Sequence, residues 1–235
     1  MTKKFALVLG GTKGLGKELS RQLIERQTPV IVVGRSAGPQ DGESKSPLLT
    51  SLSCDLLQLT SVERLLSELA RLISDGSQIT EFYWAAGRLD RQPFSSIETK
   101  SMLSTVDINF RNPLIVAQWV WRHMQSLQGT RRFVVISSTV GISDSPREDE
   151  AIYAATKAAQ VSFARAIGKT HTSDSLLVSL FCPGGMKMDL WKSNAVDVAT
   201  YDSFLDPEKV AAKICSMVES QTEPYQETII PRGSL

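Results

Sequence analysis

Tyr153 and Lys157 stand four residues apart in Tyr153-Ala-Ala-Thr-Lys157, inside a stretch from Ala151 to Lys169 whose apolar spacing predicts a helix. Positions four apart lie on one helix face, one turn from each other. A free phenol titrates at about 10, too high for efficient proton exchange near neutrality. An ammonium one turn away favours the phenolate and is expected to lower that value. Such a pair also arises by chance, so its surroundings must give it meaning. Val134-Val135-Ile136-Ser137-Ser138 closes a predicted strand, Phe133 to Ser137. A serine hydroxyl at a strand's carboxyl end can donate to a carbonyl oxygen as charge grows there. Neither serine lies in a Gly-x-Ser-x-Gly elbow, so a hydrolase nucleophile is not indicated. The two histidines, His123 and His171, stand in or near helices with no apparent partner and read as surface or helix-end residues rather than bases.

A second kind of chemistry is written near the amino end. Phe5 to Leu9 reads as a buried strand, and it stops at Gly10-Gly11-Thr12-Lys13-Gly14-Leu15-Gly16. A helical pattern follows at once with Leu15, Leu19, Leu23 and Ile24. Strand, glycine turn and helix form the geometry that binds a dinucleotide pyrophosphate, although an ordinary strand-to-helix turn is the plainer alternative. Gly10 would permit the tight turn, Gly14 would let the backbone approach phosphates, and Gly16 would let helix pack on strand. The free N–H groups of that helix point at the anion. After the second predicted strand, Val30 to Val33, an NAD site usually carries an acid for the ribose 2′-OH. This chain has Gly34-Arg35-Ser36, with Asp41 the nearest carboxylate. Arg35 as a planar fork and Lys13 as a point charge suit a 2′-phosphate, so the expected cofactor is NADP(H). The alternative is that Arg35 is a solvated loop residue.

The Gly-x3-Gly-x-Gly spacing, the serine strand and the Tyr-x3-Lys helix together resemble the short-chain dehydrogenase/reductase superfamily, in family order from residue 5 to about 230. The resemblance implies catalytic roles for Ser138, Tyr153 and Lys157, with Ser137 replacing Ser138 if the register differs by one. It gives Lys157 a hydrogen bond to the nicotinamide ribose, and the adjacent cationic nicotinamide is expected to act with Lys157 in lowering the Tyr153 phenol. It makes Asn109 the helix asparagine that holds a water linking the lysine to solvent; a helix irregularity before Pro113 is the alternative. It implies cofactor contacts from Gly10, Thr12, Lys13, Gly14, Leu15 and Gly16, and from Arg35 and Ser36. Asp55 and Leu56 would lie near the adenine, though Asp55 reads equally well as a turn residue. Ala86 and Gly87 would make room for the adenosine ribose. Pro183, Gly184 and Met186 would lie under the nicotinamide, with the Met186 backbone pairing with the carboxamide. The chain departs from the family at Leu9 and Met188, where threonines are usual, and at Trp84-Ala85, where asparagines are usual. Ser138 also precedes Tyr153 by fifteen residues, so the acidic loop Ser143 to Glu150 should bulge. A homodimer or homotetramer through the helices near 101–125 and 151–169 is implied as well. Trp119 and Trp121 cannot both face one core, so one of them is a candidate interface residue.

Strands alternate with helices along all 235 residues. Further strands are expected at Leu49 to Cys54, Ile79 to Ala85, Leu176 to Phe181 and Thr228 to Ile230. One helix is expected after a cap at Thr60 or Ser61, a long one over Ser101 to Gln125, and a last one from Asp206-Pro207. This predicts a single α/β domain over residues 1–235: a Rossmann-type doubly wound, mainly parallel seven-stranded sheet with helices on both faces. Ligands then collect at the carboxyl ends of the strands, and every motif above sits just after a strand or on a helix that could line that edge. A short lid is expected around 186–206, carrying Trp191, Val196, Val198, Tyr201 and Phe204.

A net charge of +1 gives no basic footprint for nucleic acid. No run has the length of a membrane span. Cys54, Cys182 and Cys215 are odd in number and widely spaced, which argues against a metal site and for buried thiols in the cytoplasm. The combined expectation is NADP(H)-dependent reduction of a small, apolar ketone or aldehyde, or the reverse. The alternative is a non-catalytic dinucleotide-binding regulatory or scaffold protein.

Overall fold

The computed structural model describes residues 3–36, 46–144, 146–170, 175–188 and 198–235. Seven strands form one parallel sheet: β1 (Lys4–Leu9), β2 (Val30–Gly34), β3 (Leu49–Ser53), β4 (Gln78–Trp84), β5 (Arg131–Ile136), β6 (Leu176–Pro183) and β7 (Tyr225–Ile230). Their order is β3-β2-β1-β4-β5-β6-β7, every neighbouring pair parallel. The central strands carry nearly unbroken apolar runs because both faces are covered, and every residue of β6 is buried. Alternate residues divide between two cores. Phe5, Leu7, Leu9, Phe82, Trp84 and Phe133 face one side, and Ala6, Val8, Val32, Tyr83 and Val134 face the other.

Helices α1 (Gly14–Glu25) and α7 (Pro207–Ser220) cover the second face through Leu15, Leu19, Leu23, Val210 and Ile214. Helices α2 (Leu59–Ser74), α4 (Asn112–Gln125) and α5 (Ala151–Thr170) cover the first. Short helices α3 (Thr99–Val106) and α6 (Val198–Asp202) complete the set. This is the doubly wound Rossmann-type α/β fold the strand–helix alternation predicts. The strand order reverses between β1 and β4, which opens a crevice at their carboxyl ends.

Several local expectations are corrected. The long helix over Ser101 to Gln125 is interrupted by a π turn, Asp107–Arg111, between α3 and α4. Pro113 stands at the start of α4 and has no N–H for the carbonyl four residues back. Neither Thr60 nor Ser61 caps α2. That helix starts at Leu59, and the Ser61 hydroxyl instead accepts the Asp55 N–H at 3.0 Å. His123 has a partner, because its Nε2 accepts the Ile79 N–H at 3.1 Å. Trp119 and Trp121 both pack against the same core: Trp119 stacks on His123, and Trp121 meets the Phe133 ring edge-on at 5.2 Å. Their helix has the sheet beneath it and α2 at its side, so both flanks find apolar neighbours. Asp206 does cap α7 as its sequence predicts, accepting the Glu208 N–H at 2.9 Å.

Candidate active site

The glycine turn lies at the reversal point. Gly10 and Gly11 donate to the Val33 carbonyl at 2.9 and 3.1 Å, which docks the turn on the end of β2. Gly10 has φ +88°, and a Cβ there would come within 2.6 Å of the Ala86 backbone. A Cβ on Gly16 would stand 2.2 Å from the Gly10 carbonyl oxygen. Two backbones therefore approach as closely as glycine allows. The first turn of α1, at Gly14, Leu15 and Gly16, aims unpaired N–H groups out of this cradle. Thr12 packs directly over Gly34, which brings the exposed Lys13 and Arg35 to the same edge, with Ser36 beside them. Met188 lies over Gly14, its sulfur 2.8 Å from where a Cβ would stand. The shape of this edge fits a dinucleotide, and two exposed cations, Lys13 and Arg35, stand at it.

The other predicted cofactor positions line the same carboxyl edge. Asp55 Oδ1 accepts the Leu57 N–H at 3.0 Å, so its carboxylate makes the turn the sequence allowed. Leu56 is held by Asn112, whose Nδ2 donates to the Leu56 carbonyl at 2.7 Å. Ala86 and Gly87 follow β4, and Gly87 lies next to Lys157 Nζ and Asn109 Oδ1. Gly184 donates to the Ile230 carbonyl at 2.8 Å. Met186 bridges Leu205 in parallel fashion through the groups of its neighbours, which turns its own N–H and C=O away from Leu205.

Tyr153 and Lys157 meet Ser138 across the cleft. Ser138 follows β5, its hydroxyl accepts the Val140 N–H at 3.3 Å, and it lies by the Tyr153 phenol, whose titration it pulls down. Ser137 is turned inward and donates to the Lys157 main-chain carbonyl at 2.8 Å. Of the two serines, Ser138 therefore faces the phenol. Lys157 Nζ is buried, 5.8 Å from the Tyr153 ring centre, and donates to the Ile136 carbonyl at 3.2 Å and to Gln160 Oε1 at 2.9 Å.

The expected lowering of the Tyr153 phenol by Lys157 is not what the chain by itself shows. Burial pushes the phenol up to about 12, Ser138 pulls it down, and the Glu150 charge adds to the rise. Burial also pushes the Lys157 ammonium down to about 8, against a pull from Cys182. A cation that desolvation disfavours is a weak source of stabilisation for a neighbouring anion.

Asn109, in the π turn, is tied by direct bonds. Its Oδ1 accepts the Arg88 N–H at 2.6 Å, and Nδ2 donates to the Arg88 carbonyl at 2.9 Å and to Thr156 Oγ1 at 3.0 Å. Its main-chain carbonyl accepts Gln160 Nε2 at 2.8 Å. The irregularity read as the alternative for Asn109 is therefore present, and its side chain ties the π turn to Arg88 and Thr156 beside Lys157. Thr156 and Gln160 were missed from the sequence, although both fall on the Tyr153–Lys157 side of α5 at helical spacing.

Among the described residues, the cleft beside Tyr153 is lined by Ser138, Val140, Arg147, Glu150, Met186, Met188, Phe204 and Arg232. Arg91 pairs with Asp149 and Glu150 at 2.7 and 3.3 Å, and Arg147 pairs with Glu150 at 3.2 Å, fixing the loop that the long Ser138–Tyr153 spacing creates. The Arg232 guanidinium lies 5.2 Å from the Phe204 ring centre. The wall is therefore more polar than the apolar lid residues suggest. Tyr201 packs on Phe204, Val198 opens α6, and Trp191 and Val196 lie outside the described residues, as do His171 and Asp41. Among the described residues, no group of acids, histidines and cysteines is placed to hold a metal. No described helix is long and apolar enough to cross a membrane.

The sequence profile described as short chain dehydrogenase matches residues 4–198. A benzil reductase ((S)-benzoin forming) of Bacillus cereus is 23% identical, over 96% of this chain and 98% of its own length. A single-substitution variant of actinorhodin polyketide ketoreductase, solved with NADPH, superposes with a TM-score of 0.80 at 20% identity, covering 100% of this chain and 99% of its own. A short chain dehydrogenase from Leptospira borgpetersenii with bound NAD+ also superposes at 0.80, with 16% identity over 100% and 93% of the two chains.

Proposed function

This chain belongs to the short-chain dehydrogenase family, a family of oxidoreductases, and on that premise we propose that it is an NADP(H)-dependent carbonyl reductase. It reduces a small, largely apolar ketone or aldehyde to an alcohol, or runs the reverse. The observation that carries this reading is the meeting of Ser138, Tyr153 and Lys157 at the strand edge beside the glycine cradle.

NADPH, when bound, would supply the hydride. Gly10, Thr12, Gly14, Leu15 and Gly16 would present backbone to the pyrophosphate, and Arg35, Ser36 and Lys13 would receive the 2′-phosphate. Asp55, Leu56, Ala86 and Gly87 would border the adenosine, and Pro183, Gly184 and Met186 would border the nicotinamide. Ser138 Oγ donates to the substrate oxygen and stabilises its growing charge. Tyr153 gives its phenolic proton to the same oxygen; burial keeps that proton in place but makes the phenol a weaker acid, which Ser138 partly offsets. Lys157 favours the resulting phenolate, and Asn109 holds the turn behind it. Val140, Met186, Met188 and Phe204 take the apolar body of the substrate, with Arg147 and Arg232 at the rim. A benzil reductase among the relatives and a neighbour solved with NADPH support both halves of the reading.

The same reading includes a cytoplasmic location, supported by three buried free thiols, and a homodimer or homotetramer through the helices near 101–125 and 151–169. Sedimentation as a monomer at micromolar concentration would remove the oligomer. The reaction is tested by following NADPH consumption with a panel of aromatic and aliphatic ketones and aldehydes. Turnover by the wild type that falls on the order of a thousandfold in Tyr153→Phe is expected. Full activity in Tyr153→Phe overturns the assignment of the proton donor. NADPH binding with no turnover across the panel would favour a non-catalytic dinucleotide-binding protein.

A further inference from the structure

Gln160 is a fully buried polar side chain that the proposed reaction does not use. It lies on α5 three residues beyond Lys157, and both ends of its amide are engaged. Oε1 accepts from Lys157 Nζ at 2.9 Å, and Nε2 donates to the Asn109 main-chain carbonyl at 2.8 Å. That carbonyl is open to a side chain because Pro113, four residues on, has no N–H to offer it. The bridge therefore joins two elements distant in sequence, the π turn and α5, at the ammonium itself.

We propose that Gln160 is a positioning residue: its amide anchors the Lys157 ammonium to the Asn109 carbonyl and so fixes where that charge stands behind Tyr153. The kinetic consequence rests on the reductase reading above; the anchoring itself does not.

The chemistry of the two contacts selects an amide. An ammonium needs an acceptor, a carbonyl needs a donor, and one side chain must supply both across this gap. A hydrocarbon at 160 would satisfy neither. A carboxylate would satisfy Lys157 but set an oxygen against the Asn109 carbonyl oxygen. The groups that otherwise face Lys157 are few among the described residues. They are the Tyr153 phenol on its own helix, the Cys182 thiol on β6, the Ile136 carbonyl on β5 and the neutral Asn109 in the π turn. Glu150 bears on Tyr153. Among the described contacts, Gln160 and Ile136 are therefore the acceptors that hold the ammonium.

The direct test is the titration of Lys157 by NMR in protein carrying 13Cε-labelled lysine, its signal assigned by loss in Lys157→Met. Gln160→Met keeps the side-chain length and removes both hydrogen bonds. Its Lys157 midpoint should fall by about one pH unit, because an acceptor favouring the charged form is gone. Gln160→Glu should move it the other way. In the alcohol-oxidising direction, the rising limb of the Gln160→Met pH profile should shift to higher pH, with kcat/KM lower on the order of tenfold. A cation that titrates earlier or wanders helps the phenolate less. Gln160→Asn, too short to span both groups, serves if the Met variant does not fold and should move the midpoint down as well. An unchanged Lys157 midpoint in a folded Gln160→Met or Gln160→Asn variant overturns the proposal, whatever the enzyme turns over. A shifted midpoint with no carbonyl turnover by the wild type would uphold the anchor and reject the reductase reading.

Discussion

The two halves of the cleft are built by opposite means. The half under β1, β2 and α1 is made by removing side chains. Gly10 presses on Ala86 and Gly16 on the Gly10 carbonyl, so backbone rather than side chains forms the surface there. The half under β5 and α5 is made by burying polar side chains. Ser137, Lys157, Gln160, Asn109 and Thr156 are all below 5% exposed and bonded to one another or to main-chain carbonyls. At Gly10 and Gly16 the first half tolerates no added carbon, whereas the buried polar cluster of the second tolerates no lost partner, although Gly141 there also packs closely on the Lys157 main chain. Shape is the limit at the glycine turn and electrostatics in the polar cluster, so substitutions at those positions separate them.

Removing a polar group should matter most in the second half. Ser138→Ala is expected to lower kcat about a hundred- to a thousandfold while leaving NADPH affinity nearly unchanged, read by steady-state kinetics beside a binding titration. Parallel loss of NADPH binding would mean that Ser138 shapes the cofactor site. Adding one carbon should matter most in the first half. Gly16→Ala forces a Cβ against a carbonyl oxygen and should cost about 2–4 kcal/mol in urea denaturation, with weakened cofactor binding. Gly87→Ala, whose Cβ would stand an ordinary 3.7 Å from Lys157 Nζ, should cost under about 1 kcal/mol. Equal effects would erase the distinction between the halves.

The smallest of these effects is the pH dependence of stability. Burial lowers Lys157 from its ordinary 10.5 to about 8 in the folded chain. Between those values the unfolded chain holds the proton that the folded chain has released, so stability climbs with pH across that window. Relative to Lys157→Met, the cofactor-free wild type should gain at most about 3 kcal/mol between pH 8 and 10.5, measured by chemical denaturation. A difference that is flat across that range would show that the ammonium is solvated through the cleft.

The same contrast explains what the sequence discloses. The glycine turn is legible because its roles are local: strand, turn and helix are consecutive, and each glycine answers to a neighbour a few residues away. Tyr153 and Lys157 are legible because one helix turn joins them. Gln160 carries the same helical spacing, yet its second partner is a main-chain carbonyl 51 residues away, and carbonyls leave no mark in a sequence. The π turn keeps helical periodicity on both sides, so Pro113 alone hints at it. His123 read as partnerless for the same reason, since its donor is the Ile79 main-chain N–H. The upward shift of the Tyr153 phenol was also hidden, because burial, and not the spacing to Lys157, decides it. The alternation of apolar runs, by contrast, gives the order of the elements and the cover on both faces almost completely.

The central claim, that the glycine half holds NADP(H) for the polar half to use, is tested most directly by titrating the protein with NADPH and with NADH, followed by nicotinamide fluorescence. NADPH should bind at least about tenfold more tightly, and Arg35→Asp should abolish that preference, because a carboxylate repels the 2′-phosphate that Arg35 and Lys13 attract. Equal binding of the two, or a preference for NADH, would contradict the account and leave Arg35 and Lys13 as surface charges.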